Sequence, residues 1–528
     1  MSKLYDLISK LSKSSPEAVN TLKSSNSSLM DYLYITTEVE KKYLELLEQN
    51  FSNKSIIFLC GSSGDGKSAI INRHYKKYKS NYEFHVDATH SFEPSQTSIE
   101  ALNESFTKYK NSNKSLVVGI NIGIMLNFIA EGSQEHSDII DSFKLYDKKR
   151  TSSNNIFFIN FEDYPKFKFE NKQISSPFIE SILNKITEQS EENPFYKAFL
   201  EDIENETTSV VHQNYKLLSD KSIQKSIINL LILVYLKYDQ FVTARTLLDF
   251  IYTLIKGPKI LINQLFEERS NPIINNIHKE DPILNRTFLL DKFILESSTN
   301  QTNNDLDTFI EDFNKACKKP ILKNNEPFTL LRCFYLFKDC ELSNNYHHIF
   351  KDSFEKSTKN IINFIELISS HQNYDKTVIK EFYEKLKNAI YIYVNKTAPT
   401  LTEKKLFTIS AIENSIIATP LKIRENTDKI KEHQINTFNS FPLFITINGI
   451  EIKTIDITFN MYQLLLSINE GYRPNKHDRN TIIIFEELIQ SINEIAILSE
   501  EISIIHDKTR IDFSYIEDDD IEVQKYER

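Results

Sequence analysis

The sequence predicts an α/β core built on a mostly parallel sheet, with a helical lid, a largely helical middle and a small α+β C-terminal region. Three observations carry that expectation. Short apolar runs recur at 56–60, 82–86, 116–125 and 156–161 with helical or loop segments between them, the β-α-β-α-β pattern of strands buried on both faces of a parallel sheet. Residues 174–256 keep helical spacing almost without interruption. Near the end, Asn448-Gly449 separates two apolar arms, the strongest short-range hairpin signal.

Taken in order, residues 1–50 read as a helical N-terminal segment packed on the sheet, with Tyr32, Leu33, Ile35, Tyr43, Leu44 and Leu47 as its apolar face. The α/β core spans 51–173. The lid spans 174–257, opening after Ser175-Ser176-Pro177 and closing at Gly257-Pro258, where a left-handed glycine precedes a residue that cannot continue a helix. A helical domain follows at 258–400, with a loop expected at 301–307. The α+β domain at 401–528 carries the hairpin near 444–455, then helices at 461–468 and 481–498. Glu517-Asp518-Asp519-Asp520 reads as a solvated acidic turn.

Composition narrows the function classes. The chain has 528 residues, 40% hydrophobic and 26% charged, with a net charge of −10, which argues against wrapping DNA through a general excess of basic residues. A local basic patch would still allow a DNA contact, and self-association is open. The longest apolar stretch, 227–236, is half what a bilayer needs and contains Asn229. The N-terminus lacks the apolar core of a signal peptide, and the four cysteines form no C-x-x-C pair, so a reducing cytoplasmic location is expected.

The chemistry concentrates in one segment. Three of only nine glycines lie in Gly61-Ser62-Ser63-Gly64-Asp65-Gly66-Lys67-Ser68, the G-x-x-x-x-G-K-[ST] pattern of a P-loop, set between an apolar strand and an amphipathic helix as that motif requires. The glycines let successive amides point at one anion, and the helix adds its positive end. Lys67 is expected on the β- and γ-phosphates of ATP and the Ser68 hydroxyl on Mg2+. Asp65 is compatible with a polyphosphate there only if it points to solvent.

Hydrolysis needs an acid on the metal and another group to orient water. Glu162 and Asp163, at the end of the 156–161 run, are the first candidates, with Asp163 also a candidate Mg2+ ligand; Asp87 is the second choice. The 117–121 run instead ends in Asn121; with that strand in the acid-bearing role, Asn160 would stand where a γ-phosphate sensor sits. Arg245, in the first turn of an apolar helix after the core, is the candidate γ-phosphate sensor, with Arg269 and Arg286 as weaker alternatives. His85, Asp87 and His90 have the spacing of a thin metal cluster, against which a hydrogen-bonded histidine at the sheet edge is the plainer reading.

The segment 60–68 resembles the P-loop of the DptF family, as do His85-Val86-Asp87-Ala88-Thr89-His90-Ser91-Phe92-Glu93-Pro94, Thr97-Ser98-Ile99-Glu100, Gly119-Ile120-Asn121-Ile122-Gly123 and Gly471-Tyr472-Arg473-Pro474-Asn475-Lys476. The similarity runs from about residue 50 into the C-terminal part. It implies an ATPase-like component of DNA phosphorothioation-dependent restriction, an anti-phage system that attacks unmodified DNA with companion subunits DptG and DptH, and it implies that Asp87 belongs to the nucleotide site. The alternatives are a nucleotide-switch scaffold that never turns over, or an AAA-like or STAND-like ATPase unrelated to restriction.

Overall fold

A computed structural model describes residues 2–15, 28–49, 53–89, 96–149, 155–164, 166–170, 173–299, 301, 303–433, 438–475, 478–506, 509–515 and 520–527. The chain forms two compact units, 1–356 and 357–528. The division falls inside the helix Lys351–Asn373, so the expected 258–400 segment is shared between them.

The first unit is organised around four parallel strands, β1 (Ile56–Cys60), β2 (Tyr82–His85), β3 (Ser115–Ile120) and β4 (Ile156–Asn160), in the spatial order β2-β3-β1-β4. Strand alternation divides the apolar residues between two layers. Ile56, Phe58 and Cys60 of β1 join Leu116, Val118 and Ile120 of β3 on one face. There they bury α5 (Ser98–Asn111), α6 (Ile122–Glu131) and α7 (Ser137–Lys149) through Phe106, Phe128 and Phe143. Ile57, Leu59, Val117 and Ile159 face the other way, against Tyr43 and Leu47 of α3 (Glu38–Glu48) and Ile70 and Ile71 of α4 (Lys67–Tyr78).

Among the described residues of the N-terminal segment, α3 is the helix that lies on the sheet. The helix α1 (Lys3–Ser9) packs on α9 (Pro194–Glu204) and α12 (Ala244–Lys256), and α2 (Ser28–Leu33) packs on α8 (Pro177–Thr187). The expected strand at 116–125 is two elements. Asn121 leaves the sheet in extended conformation and its side-chain oxygen accepts the Ile124 amide, which starts α6.

The lid region is helical as expected, with α10 (Val210–Leu218) and α11 (Lys221–Tyr238) completing the series α8 to α12. Pro177 and Pro194 occupy first-turn positions behind the caps Ser176 and Asn193. Gly257 does end α12, but its φ is −57°, so it is not the left-handed cap expected. The glycine lies close against the Gln264 side chain: a Cβ there would be 2.1 Å from its amide group, which would have to move aside. The expected loop at 301–307 is shortened by a helix starting at Asn304.

In the second unit the hairpin forms as expected. Ile445–Ile447 pairs with Ile450–Glu451 across Asn448 and Gly449, whose φ angles are +51° and +87°. The arm beyond does not continue it: Ile455–Thr458 pairs with Ser440–Leu443. The helices expected at 461–468 and 481–498 form as Phe459–Asn469 and Arg479–Ala496. Segments Leu406–Ile412, Ser415–Pro420, Glu501–His506, Thr509–Tyr515 and Ile521–Glu527 form an antiparallel sheet that the sequence pattern did not reveal. The expected acidic turn falls mostly outside the described residues. Among the described residues no helix is long and apolar enough to cross a membrane.

Candidate functional site

The parallel sheet has one topological switch point. From β1 the chain crosses to β2 through α4 on one face, whereas from β3 it crosses to β4 through α6 and α7 on the other. Neighbouring strands β1 and β3 therefore send their connections in opposite directions, and the crevice at their carboxyl ends is the switch point where open α/β sheets bind ligands. The loop 61–66 sits there.

The loop is pinned at its base by the Gly61 amide donating to the Ile120 carbonyl at 3.1 Å. Gly64 and Gly66 take φ of +86° and +102°, conformations a side chain would strain. Gly66 is the N-cap of α4 and, having no side chain, leaves the first amides of that helix without a side-chain cap. Lys67 opens the helix and is only 8% exposed. Its ammonium turns back over the loop and donates to the Gly61 carbonyl at 2.7 Å and the Ser62 carbonyl at 2.8 Å. Burial pushes its pKa below the usual lysine range, and the charges on Asp65 and Asp87 oppose that fall. Ser68 is half-buried in the first turn of α4.

Asp65 does not point to solvent. Its carboxylate folds back across the loop, accepting the Ser62 amide at 2.7 Å and the ammonium of Lys166 at 2.9 Å. Lys166 carried no signal in the sequence: it is one lysine among many, in a short link after β4. Its ammonium also donates to the Val242 carbonyl at 2.8 Å, immediately before the α12 cap Thr243.

The other predicted residues separate. Asp87 stands just beyond β2, where Oδ1 accepts the Thr89 amide at 3.0 Å and the Thr89 hydroxyl at 2.6 Å, and its charge reaches Lys67. Its position depends on Gly119, which lets β2 and β3 approach so closely that a Cβ there would lie 2.3 Å from the Val86 carbonyl oxygen. Arg245 is brought to the loop. A Cβ on Gly64 would lie 2.9 Å from Thr243 Oγ1 and 3.3 Å from Arg245 Cβ, so the first turn of α12 lies against the glycine bend.

Glu162 and Asp163 occupy a single 3-10 turn after β4 and are both exposed. The Glu162 amide donates to Asn160 Oδ1 at 3.1 Å, and its carboxylate acts on the Tyr235 phenol of α11. Asn160 is 1% exposed and caps that turn. Arg269 meets His278 at 2.6 Å, and Arg286 pairs with Asp291 at 3.2 Å. The His85 ring is buried and bonds Ser105 at 2.8 Å, and His90 lies outside the described residues.

The loop thus brings together backbone amides at an uncapped helix start, the Lys67 and Lys166 ammonium groups and the Asp65 and Asp87 carboxylates. No protein-family model and no curated protein matches the sequence.

Proposed function

We propose that this chain binds ATP with Mg2+ on the 61–68 loop and hydrolyses it slowly. In this reading it is the P-loop component of a DNA phosphorothioation-dependent restriction system. The observation that carries the nucleotide reading is the buried Lys67 ammonium, held over a glycine loop at the switch point of a parallel sheet. A lysine so placed can exchange two carbonyl acceptors for phosphate oxygens without leaving its pocket.

The Ser68 hydroxyl, in the first turn of α4, and the Asp87 carboxylate, whose charge reaches Lys67, would hold Mg2+ as hard oxygen ligands beside the phosphates. The metal supplies charge neutralisation at the phosphates. Lys67 fixes the phosphates and excludes water beneath them, and Arg245 reads the outer phosphate from the first turn of α12. Asp87 takes precedence here over Glu162 and Asp163 because its charge reaches Lys67.

The test is ATP·Mg binding and turnover by the full chain and by Lys67→Ala. Losing a charged hydrogen-bonding group costs about 1.5–3 kcal/mol, so affinity falls roughly 10- to 150-fold. Equal affinity of the two proteins overturns the reading.

A second reading, a nucleotide switch without turnover, is favoured by one observation. Asn121, at the end of the strand beside β1, is engaged as a helix cap. ATP binding with hydrolysis at background rate in both proteins selects it.

The restriction role rests on the resemblance to the DptF family. It makes DptG- and DptH-like subunits the partners and places any DNA contact through them or a local basic patch. Co-expression with such partners and recovery of an ATP-dependent complex supports the role. A stable ring formed with ATP that ignores both DNA and partners points to an unrelated AAA-like or STAND-like ATPase.

A further inference from the structure

The Asp65 carboxylate already occupies two donors that a phosphate would want, and one of them, Lys166, belongs to no part of the glycine motif. We infer that Asp65 is an internal competitor for the polyphosphate and that Lys166 is a second phosphate-binding cation, released to the ligand when Asp65 is displaced. The inference rests on the polyphosphate reading of the loop.

The geometry favours a swap over a collapse. One carboxylate bridges the Ser62 amide at 2.7 Å and the Lys166 ammonium at 2.9 Å, and a phosphate presents oxygens with a geometry that matches the same donor pairs. Lys166 does not need Asp65 to stay in place. Its ammonium keeps the Val242 carbonyl at 2.8 Å, and its own carbonyl accepts the Ser176 hydroxyl at 2.7 Å. The pair is largely shielded, with side chains 27% and 10% exposed, so the exchange takes place where screening is weak.

An arriving polyphosphate and the Asp65 carboxylate repel each other across the same amide, which gives the ligand a direct means of expelling it.

The test is a double-mutant cycle on the full chain, with ATP·Mg and Mg-tripolyphosphate as the probes. Asp65→Asn is expected to raise affinity for both probes roughly tenfold, within the range of coupled sites. Adding Lys166→Met to that background is expected to lower it again by a similar factor, because no carboxylate is left for the lysine to serve. Unchanged or weaker binding by Asp65→Asn overturns the competitor role. A silent Lys166→Met in the Asp65→Asn background overturns the cation role. No binding of either probe by any of these proteins, with native-like hydrogen exchange in β1 and α4, overturns the polyphosphate reading itself. Tripolyphosphate bound with the expected pattern but ATP ignored keeps this inference and overturns only the nucleotide.

Discussion

The placement of Asp87 turns on one glycine, and Gly119→Ala measures how much. A methyl group at 119 would lie 2.3 Å from the Val86 carbonyl oxygen and 3.2 Å from Ile71 Cδ1. The isoleucine tip can rotate, but the carbonyl is main chain and cannot. To restore even 3.0 Å, β2 and β3 must part by about 0.7 Å, just where the Ala88 amide donates to the Gly119 carbonyl at 2.8 Å. Overpacking of this kind costs about 1–3 kcal/mol, or roughly a 5- to 150-fold rise in local opening. The control lies four residues on. At Gly123, inside α6, a Cβ would meet nothing nearer than Asn121 Oδ1 at 3.4 Å, so Gly123→Ala is expected to stabilise by up to about 1 kcal/mol through helix propensity. Hydrogen exchange on peptides covering 82–89 and 115–131 reads both changes without requiring the two units to unfold together. Unaltered exchange at 82–89 in Gly119→Ala, or equal damage from Gly123→Ala, refutes the reasoning.

Two further outcomes come from buried charges outside the site. Asp202 accepts Ser2 Oγ at 2.6 Å, the Lys3 and Leu4 amides at 2.9 and 3.0 Å, and His212 Nε2 at 3.1 Å, so it caps α1 from another helix. Burial alone would raise its carboxyl pKa, but those hydrogen bonds win and hold it at about 2, below the ordinary 3.8. The resulting stability, about 2 kcal/mol, is present above the unfolded value and lost as pH falls through about 2. Asp202→Asn should remove it at neutral pH, seen as faster exchange in residues 3–9. Lys338 has the opposite sign. It is 1% exposed with no hydrogen-bond partner for Nζ, which sits 4.4 Å over the Tyr335 ring. Burial lowers its pKa from 10.5 to about 8, so the charged form is penalised in the fold and stability rises with pH between those values. Lys338→Met should stabilise the helix Pro327–Leu336 by about 1–3 kcal/mol at pH 7, with the gain vanishing above pH 10.5. Exchange in that helix at both pH values checks it.

Much of the core was legible because burial on both faces leaves an unbroken apolar run, as in Ile56 to Cys60. Legibility failed where two apolar elements meet. Residues 116–125 read as one strand because Ile122, Ile124 and Met125 continue the run, and only Asn121 marks the change of period. The antiparallel sheet of the second unit was illegible for a different reason. Its strands at 509–515 and 521–527 have no fully buried side chains among the described residues, so alternation is weak, and its members come from segments some ninety residues apart, such as Ser415 and His506. Lys166 could not be found at all, since its distinguishing mark is a fold-dependent contact with Asp65.

The hardest residues to read were the polar groups at strand ends, and the structure gives the physical reason. A residue that leaves a strand and enters a helix is also an N-cap, and capping selects the same Asn, Asp, Ser and Thr that catalysis would. Asn121 serves the Ile124 amide, Asn160 the Glu162 amide and Thr243 the Thr246 amide. Each is accounted for by an orphan helix donor before any ligand is considered. A polar residue at such a junction thus carries little information about chemistry. Asp87 differs because β2 runs out into a turn and not into a helix start: its Oδ1 closes a local loop on Thr89 while its charge acts on Lys67 across the crevice. Asp87 thus acts on Lys67 while it closes its own turn, and that distinguishes it from Glu162 and Asp163, which belong to a capped turn on the far side of β1.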